Sequence, residues 1–224
     1  MHRTAIELCF IIGTNIISLP SIVWSFYYAK YTEGITILLT ALISSIFHLC
    51  WGTDCDICLF GSPKLWWLLD FVFIYVLISV ICTYAIEFPK PNIRGGILLI
   101  TFLFGLIAEL VVNAKFYFAN VFPPDEQILT YIVLFLFLGS VFVLSTIINK
   151  KMPRIDYVEM LFGVSFLFIG IIILISSKKT SWFVVGHSVW HVFVFISVYF
   201  FLEMTEVGRF LTFWKTPKWH LLPE

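Results

Sequence analysis

Charge is what this sequence has least of. Only 12% of its 224 residues are Asp, Glu, Lys or Arg, against about 25% in an ordinary soluble domain. Fourteen basic residues balance fourteen acidic ones, so the basic excess that nucleic-acid phosphates require is missing and nucleic acid is excluded as a partner. Cysteine is scarce as well. Five residues, Cys9, Cys50, Cys55, Cys58 and Cys82, are too few for a disulfide-built scaffold. Cys55 and Cys58 form a CxxC with no second CxxC beside it, which argues against a structural zinc knuckle. Repeats, low-complexity tracts and domain linkers are also absent, and the connections are short.

What the chain has instead is apolar residues: 60% are hydrophobic, 25 of them Phe, and the mean hydropathy is +0.99. A spanning helix takes about 20 mostly apolar residues. Runs of that length, bounded by charge, Pro or Gly, lie at 5–29, 33–51, 65–86, 95–113, 128–148, 158–176 and 181–202. They are continuously apolar, whereas a transmembrane barrel alternates over segments of about ten residues. The expected fold is therefore all-α, a seven-transmembrane-helix bundle over 1–202 with a short interfacial cytoplasmic tail at 203–224. The first run is too long for a signal-peptide core of about 7–15 residues and is expected to be an unbroken mature helix. The tail combines Phe210, Phe213, Trp214 and Trp219 with Lys215 and Lys218, a mixture suited to the membrane interface.

The Lys and Arg residues set the expected orientation. With the N-terminus outside, nine lie in inner segments (Lys30, Lys90, Arg94, Lys150, Lys151, Arg154, Arg209, Lys215, Lys218) and five in outer ones (Arg3, Lys64, Lys115, Lys178, Lys179). More positive charge inside predicts an extracellular or lumenal N-terminus and a cytoplasmic C-terminus, in the plasma membrane or the secretory pathway.

Ionisable groups inside the spans are costly in hydrocarbon, so each needs a reason. His48 lies near the end of the second run, Asp70 near the start of the third, and His187 and His191 near the start of the seventh. Alternating helix direction puts all four in one leaflet, the outer one in this orientation. His187 and His191 are four residues apart, which places both rings on one helix side with about 6 Å of axial rise between them. The same offset relates Ser44 to His48. Three neutral imidazoles with an open fourth position make a zinc site of the catalytic kind, where bound water has its pKa lowered towards about 7. Asp70 would then hydrogen-bond to that water and help deprotonate it. Ser44 has two readings, a catalytic hydroxyl or a hydroxyl bonded to the carbonyl one turn back. Glu109 and Glu7, near helix ends, are expected to reach the interface. Cys50 and Cys58 bracket the outer loop beside His48 and are the expected disulfide pair.

These residues form a familiar set. SLP at 18–20, SSIFHLC at 44–50 followed by a short Cys-containing loop, LLDF at 68–71 and GHSVWH at 186–191 resemble the CREST superfamily of seven-span proteins, which includes alkaline ceramidases and progestin and adipoQ receptors. Within it the chain looks most like the transmembrane protein 8 and myomaker group, over residues 10–202. The resemblance implies zinc held by His48, His187 and His191, with Asp70 and Ser44 in supporting or catalytic roles. It also implies a membrane-lipid substrate or ligand, since members of known chemistry hydrolyse amide or ester bonds in lipids.

Three functions follow as expectations. The first is a zinc-dependent lipid hydrolase of the outer or lumenal leaflet. The second is a myomaker-like plasma-membrane protein that promotes fusion of cells such as myoblasts around a structural zinc. The third is a lipid-binding receptor of the progestin and adipoQ type. A homo-oligomer is compatible with all three.

Overall fold

A computed structural model describes residues 5–52, 61–84, 91–112, 136, 139–140, 143, 146–147, 155–177 and 182–204. Its secondary-structure elements are helical: α1 (Ala5–Thr14), a 3-10 turn (Asn15–Ser18), α2 (Leu19–Tyr27), α3 (Tyr31–Gly52), α4 (Pro63–Tyr84), α5 (Pro91–Val112), α6 (Tyr157–Ser177) and α7 (Phe183–Glu203). Among the described residues six helical stretches are long and apolar enough to cross a membrane, with α1 to α2 counted as one from Cys9 to Tyr27. These make the chain an integral membrane protein by length and composition. Most of the expected span at 128–148 and most of the tail after Glu203 lie outside the described residues.

The first span departs from the expected unbroken helix. Pro20 has no N–H to give the carbonyl four residues back, so the Ile16 carbonyl takes the Leu19 N–H instead, a three-residue step. The ladder tightens over Asn15–Ser18 and resumes as α2. Asn15 and Ser18 are both buried in this turn.

The helices at the centre are α3, α4 and α7, joined by α1 and α2. α3 packs on α1, the 3-10 turn, α2 and α4, while α7 packs on α1, the turn, α2, α4 and α6. Their apolar core joins Ile22 and Trp24 of α2, Ile37 and Ala41 of α3, Leu77 and Ile81 of α4, and Phe195, Val198 and Leu202 of α7. α5 packs on α4, and α6 on α7.

Small residues allow the peripheral helices to approach. A Cβ on Gly163 of α6 would stand 2.9 Å from two ring atoms of Phe201 on α7, and one on Gly170 would meet Phe193 and Trp190 at 3.0 and 3.1 Å. In lipid, where apolar side chains gain little by leaving their solvent, such close contact drives helix association.

Many polar groups inside the bundle are met within it. The hydroxyls of Thr36, Thr40, Ser45, Ser79, Thr83, Thr101 and Ser188 each donate to the carbonyl four residues back. At the end of the bundle where α3 begins, Arg94 of α5 pairs with Glu33, which is 2% exposed. The guanidinium also donates to Thr83 Oγ1 at 3.4 Å and to the Val80 carbonyl at 3.3 Å. One side chain thus ties α5 to α3 and α4.

Two outcomes are expected in detergent. Glu33→Gln, which strands a largely buried guanidinium, should lower the stability by about 3 kcal/mol. Gly163→Ala, which forces Phe201 to move, should lower it by about 1–3 kcal/mol. Thermal unfolding against the wild-type chain checks both.

Candidate metal centre

The opposite end of the bundle holds the histidines. His48 lies in the last turns of α3, and His187 and His191 lie in the first turns of α7, so the two helices deliver their rings to one level. One nitrogen from each ring lies within 4.8 Å of the others, and the group can hold a metal ion. The ring centroids stand 4.8 Å apart for His48 and His187, 5.1 Å for His48 and His191, and 4.8 Å for His187 and His191. His48 and His191 are buried, and His187 is partly buried.

The geometry fits a shared ion. His187 Nε2 and His48 Nε2 are 3.1 Å apart, and two nitrogens at about 2.0 Å from a tetrahedral zinc stand about 3.3 Å from each other. Without an ion, one ring at this distance must present N–H and the other a lone pair; with one, both lone pairs point at the metal. His191 is oriented from behind: its Nδ1–H donates to Asn15 Oδ1 at 2.8 Å, which leaves Nε2 as the unprotonated nitrogen. Asn15 Nδ2 donates in turn to Ser45 Oγ at 2.9 Å, and Ser45 Oγ donates to the Ala41 carbonyl at 2.8 Å. A hydrogen-bond partner on the far ring nitrogen is what sets tautomer and orientation at metal-binding histidines.

Asp70 and Ser44 lie beside this group. Ser44, one turn before His48 on α3, hydrogen-bonds to the Asp70 carboxyl group of α4. Between the two readings of Ser44, the hydroxyl therefore reaches across helices. Asp70 is 7% exposed, and its Oδ1 is buried with no hydrogen-bond partner. A buried acceptor left open is costly unless a bound species completes it.

Asn15 belongs here although the sequence did not single it out, and Glu109 is buried where the sequence placed it at the interface. Asn15 is absent from the ionisable set, although an amide in a span five residues before a proline is a signal. Glu109, expected at the interface, is instead 1% exposed, and Tyr75 Oη donates to its Oε2 at 3.3 Å. The correction has a local cause. Gly105, one turn before Glu109, has no Cβ, and one there would stand 2.7 Å from Tyr75 Cδ2. The ring of Tyr75 lies in that gap, and its hydroxyl meets the carboxyl group inside the bundle. Glu7 lies in α1, and its side chain is outside the described residues.

Cys50 is fully buried and disulfide-bonded, while Cys9 and Cys82 are free. Cys58, its expected partner, lies outside the described residues.

Removing the Asn15 support is expected to weaken metal binding by about 10- to 100-fold while leaving all three rings present. Chelator competition on Asn15→Leu checks this.

Over residues 3–192 the chain matches the model of a family described as protein of unknown function DUF3522, and it belongs to that family. No curated protein matches it.

Proposed function

We propose that this DUF3522 chain is a zinc-dependent hydrolase of membrane lipids, a seven-span protein of the CREST type that cuts an ester or amide in the outer or lumenal leaflet. The observation that carries the reading is the convergence of three imidazoles on one point inside a membrane-spanning bundle, with a buried carboxyl and hydroxyl pair next to it. His48, His187 and His191 would hold the ion. When bound, zinc activates water as a nucleophile and polarises the scissile carbonyl.

The remaining work falls to this chain's own groups. Asp70 accepts a proton at Oδ1, the oxygen with no internal partner, and passes it to the leaving group. Ser44, whose single hydroxyl proton is given to the carboxyl group, holds Asp70 in place. Neutral imidazoles suit this role, because they bind the ion without cancelling its charge. The lipid's acyl chain enters sideways between helices, and the nucleophile comes from the polar end.

A second reading, a fusion-promoting protein with a structural zinc, is favoured by the aromatic packing of the cluster. The His48 ring lies 4.8 Å from Phe47 and the His187 ring 5.3 Å from Phe183, so an ion there sits against apolar walls.

Metal analysis of the purified chain tests the shared premise, and one substitution separates the two readings. About one zinc per chain is expected, lost in the His187→Ala, His191→Ala double variant. Asp70→Asn should keep the zinc. Under the first reading it abolishes hydrolysis in a screen of ceramides, phospholipids and glycosylphosphatidylinositol lipids. Under the second it leaves cell fusion intact. A well-folded wild-type chain without metal overturns both.

A further inference from the structure

Resting on the metal centre proposed above, we infer that Ser177 and Gly186 seat one of its ligands: the contact between them fixes the first turns of α7, and with them the place of His187. Neither residue offers the ion a donor. Both are positioning residues, and through them α6 helps to determine whether the metal binds.

Gly186 directly precedes His187. It is buried and helical, and its N–H donates to the Trp182 carbonyl at 2.8 Å. A glycine inside a helix weakens that helix, so its use there points to packing. What packs on it is Ser177, the last residue of α6 and 7% exposed. A Cβ on Gly186 would overlap both Cβ and Oγ of Ser177, more deeply than a Cβ on Gly163 or Gly170 would overlap α7, and would stand 3.5 Å from the Ile173 carbonyl oxygen. Ser177 Oγ is turned back to the Leu174 carbonyl at 3.1 Å. Its Cβ is fixed to the backbone, so no side-chain rotation relieves the overlap.

α6 is also held against simply moving away. Gly163, Gly170 and Ser177 recur every seven residues, about two helical turns, and so form one stripe along α6. Gly163 meets Phe201, Gly170 meets Phe193 and Trp190, and Ser177 meets Gly186. At the far end the Asp156 N–H donates to the Met204 carbonyl at 2.7 Å. The closest approach of the three is the one at the histidine end. Restoring an ordinary carbon–carbon separation of about 3.5–4.0 Å there requires a backbone shift on the order of 1 Å. A zinc–nitrogen bond tolerates about 0.2 Å. His191 has its own support in Asn15; Ser177 sets the backbone that carries His187.

The test is zinc affinity of the full-length chain in detergent, stripped of metal and titrated with zinc against a chromophoric chelator. Heat stability of the metal-free chain is measured alongside. Gly186→Ala should weaken zinc binding about tenfold or more while all three rings remain. Ser177→Gly, which removes the stop on α6, should weaken it by less. The double variant carries the methyl group on α7 instead of α6 and should recover wild-type affinity to within about threefold. Gly163→Ala is the control. It disturbs Phe201, about four turns from His187, and should lower the Tm without changing zinc affinity.

Wild-type zinc affinity in Gly186→Ala overturns the inference and leaves the three-histidine centre standing. A double variant no better than Gly186→Ala does the same, as does an equal loss of affinity in Gly163→Ala. A metal-free wild type overturns the centre and the inference with it. Should Gly186→Ala fail to fold, Ser177→Gly decides alone, and unchanged affinity in that variant overturns the inference.

Discussion

Hydrocarbon offers a polar atom nothing to bond to, and the structure follows from that constraint. Many serine and threonine hydroxyls spend their protons on the carbonyl one turn back. Groups too demanding for that solution are gathered into two places. At one end of the bundle Arg94 and Glu33 meet with Thr83. At the other, three histidines, Asp70, Ser44 and Asn15 share one neighbourhood. The apolar core of α2, α3, α4 and α7 lies between them.

That division explains which helices do what. α3 and α7 end and begin at the same level, and together they supply all three imidazoles. The first span contributes through its interruption: Pro20 forces the 3-10 step, and the step carries Asn15, which holds His191. α4 carries Asp70 and Tyr75, and Tyr75 bonds Glu109 of α5. α6 brings no polar group to the centre, and its glycines instead let it seat against the aromatic face of α7. The aromatic residues there stack face to face, with Phe166 and Phe200 at 5.4 Å and 5° between their planes.

The histidines and Ser44 were legible in the sequence because a helix converts a spacing of four into a shared face. His187 with His191, and Ser44 with His48, needed only that rule. Asp70 was legible because an acid within a span is rare. Asn15 was harder, since an amide carries no charge to flag it and its role depends on a turn created by Pro20. Glu109 was misjudged for a related reason. Position along the helix placed it near an end, but whether it turns in or out was settled by the gap at Gly105 and the ring of Tyr75. The pairing of Arg94 with Glu33 was hidden by their 61-residue separation, although both residues sat at span boundaries.

Sequence alone determined the medium, the helical class and the shared face of His187 and His191, because hydropathy runs and four-residue spacing are properties of a chain and a helix. Tertiary structure decided which distant groups meet: His48 with His187 at 3.1 Å, Ser44 with Asp70, Tyr75 with Glu109. These meetings depend on how helices are rotated about their axes and how closely they pack. That is set by the sum of many side-chain contacts between helices, which no local pattern in one segment records.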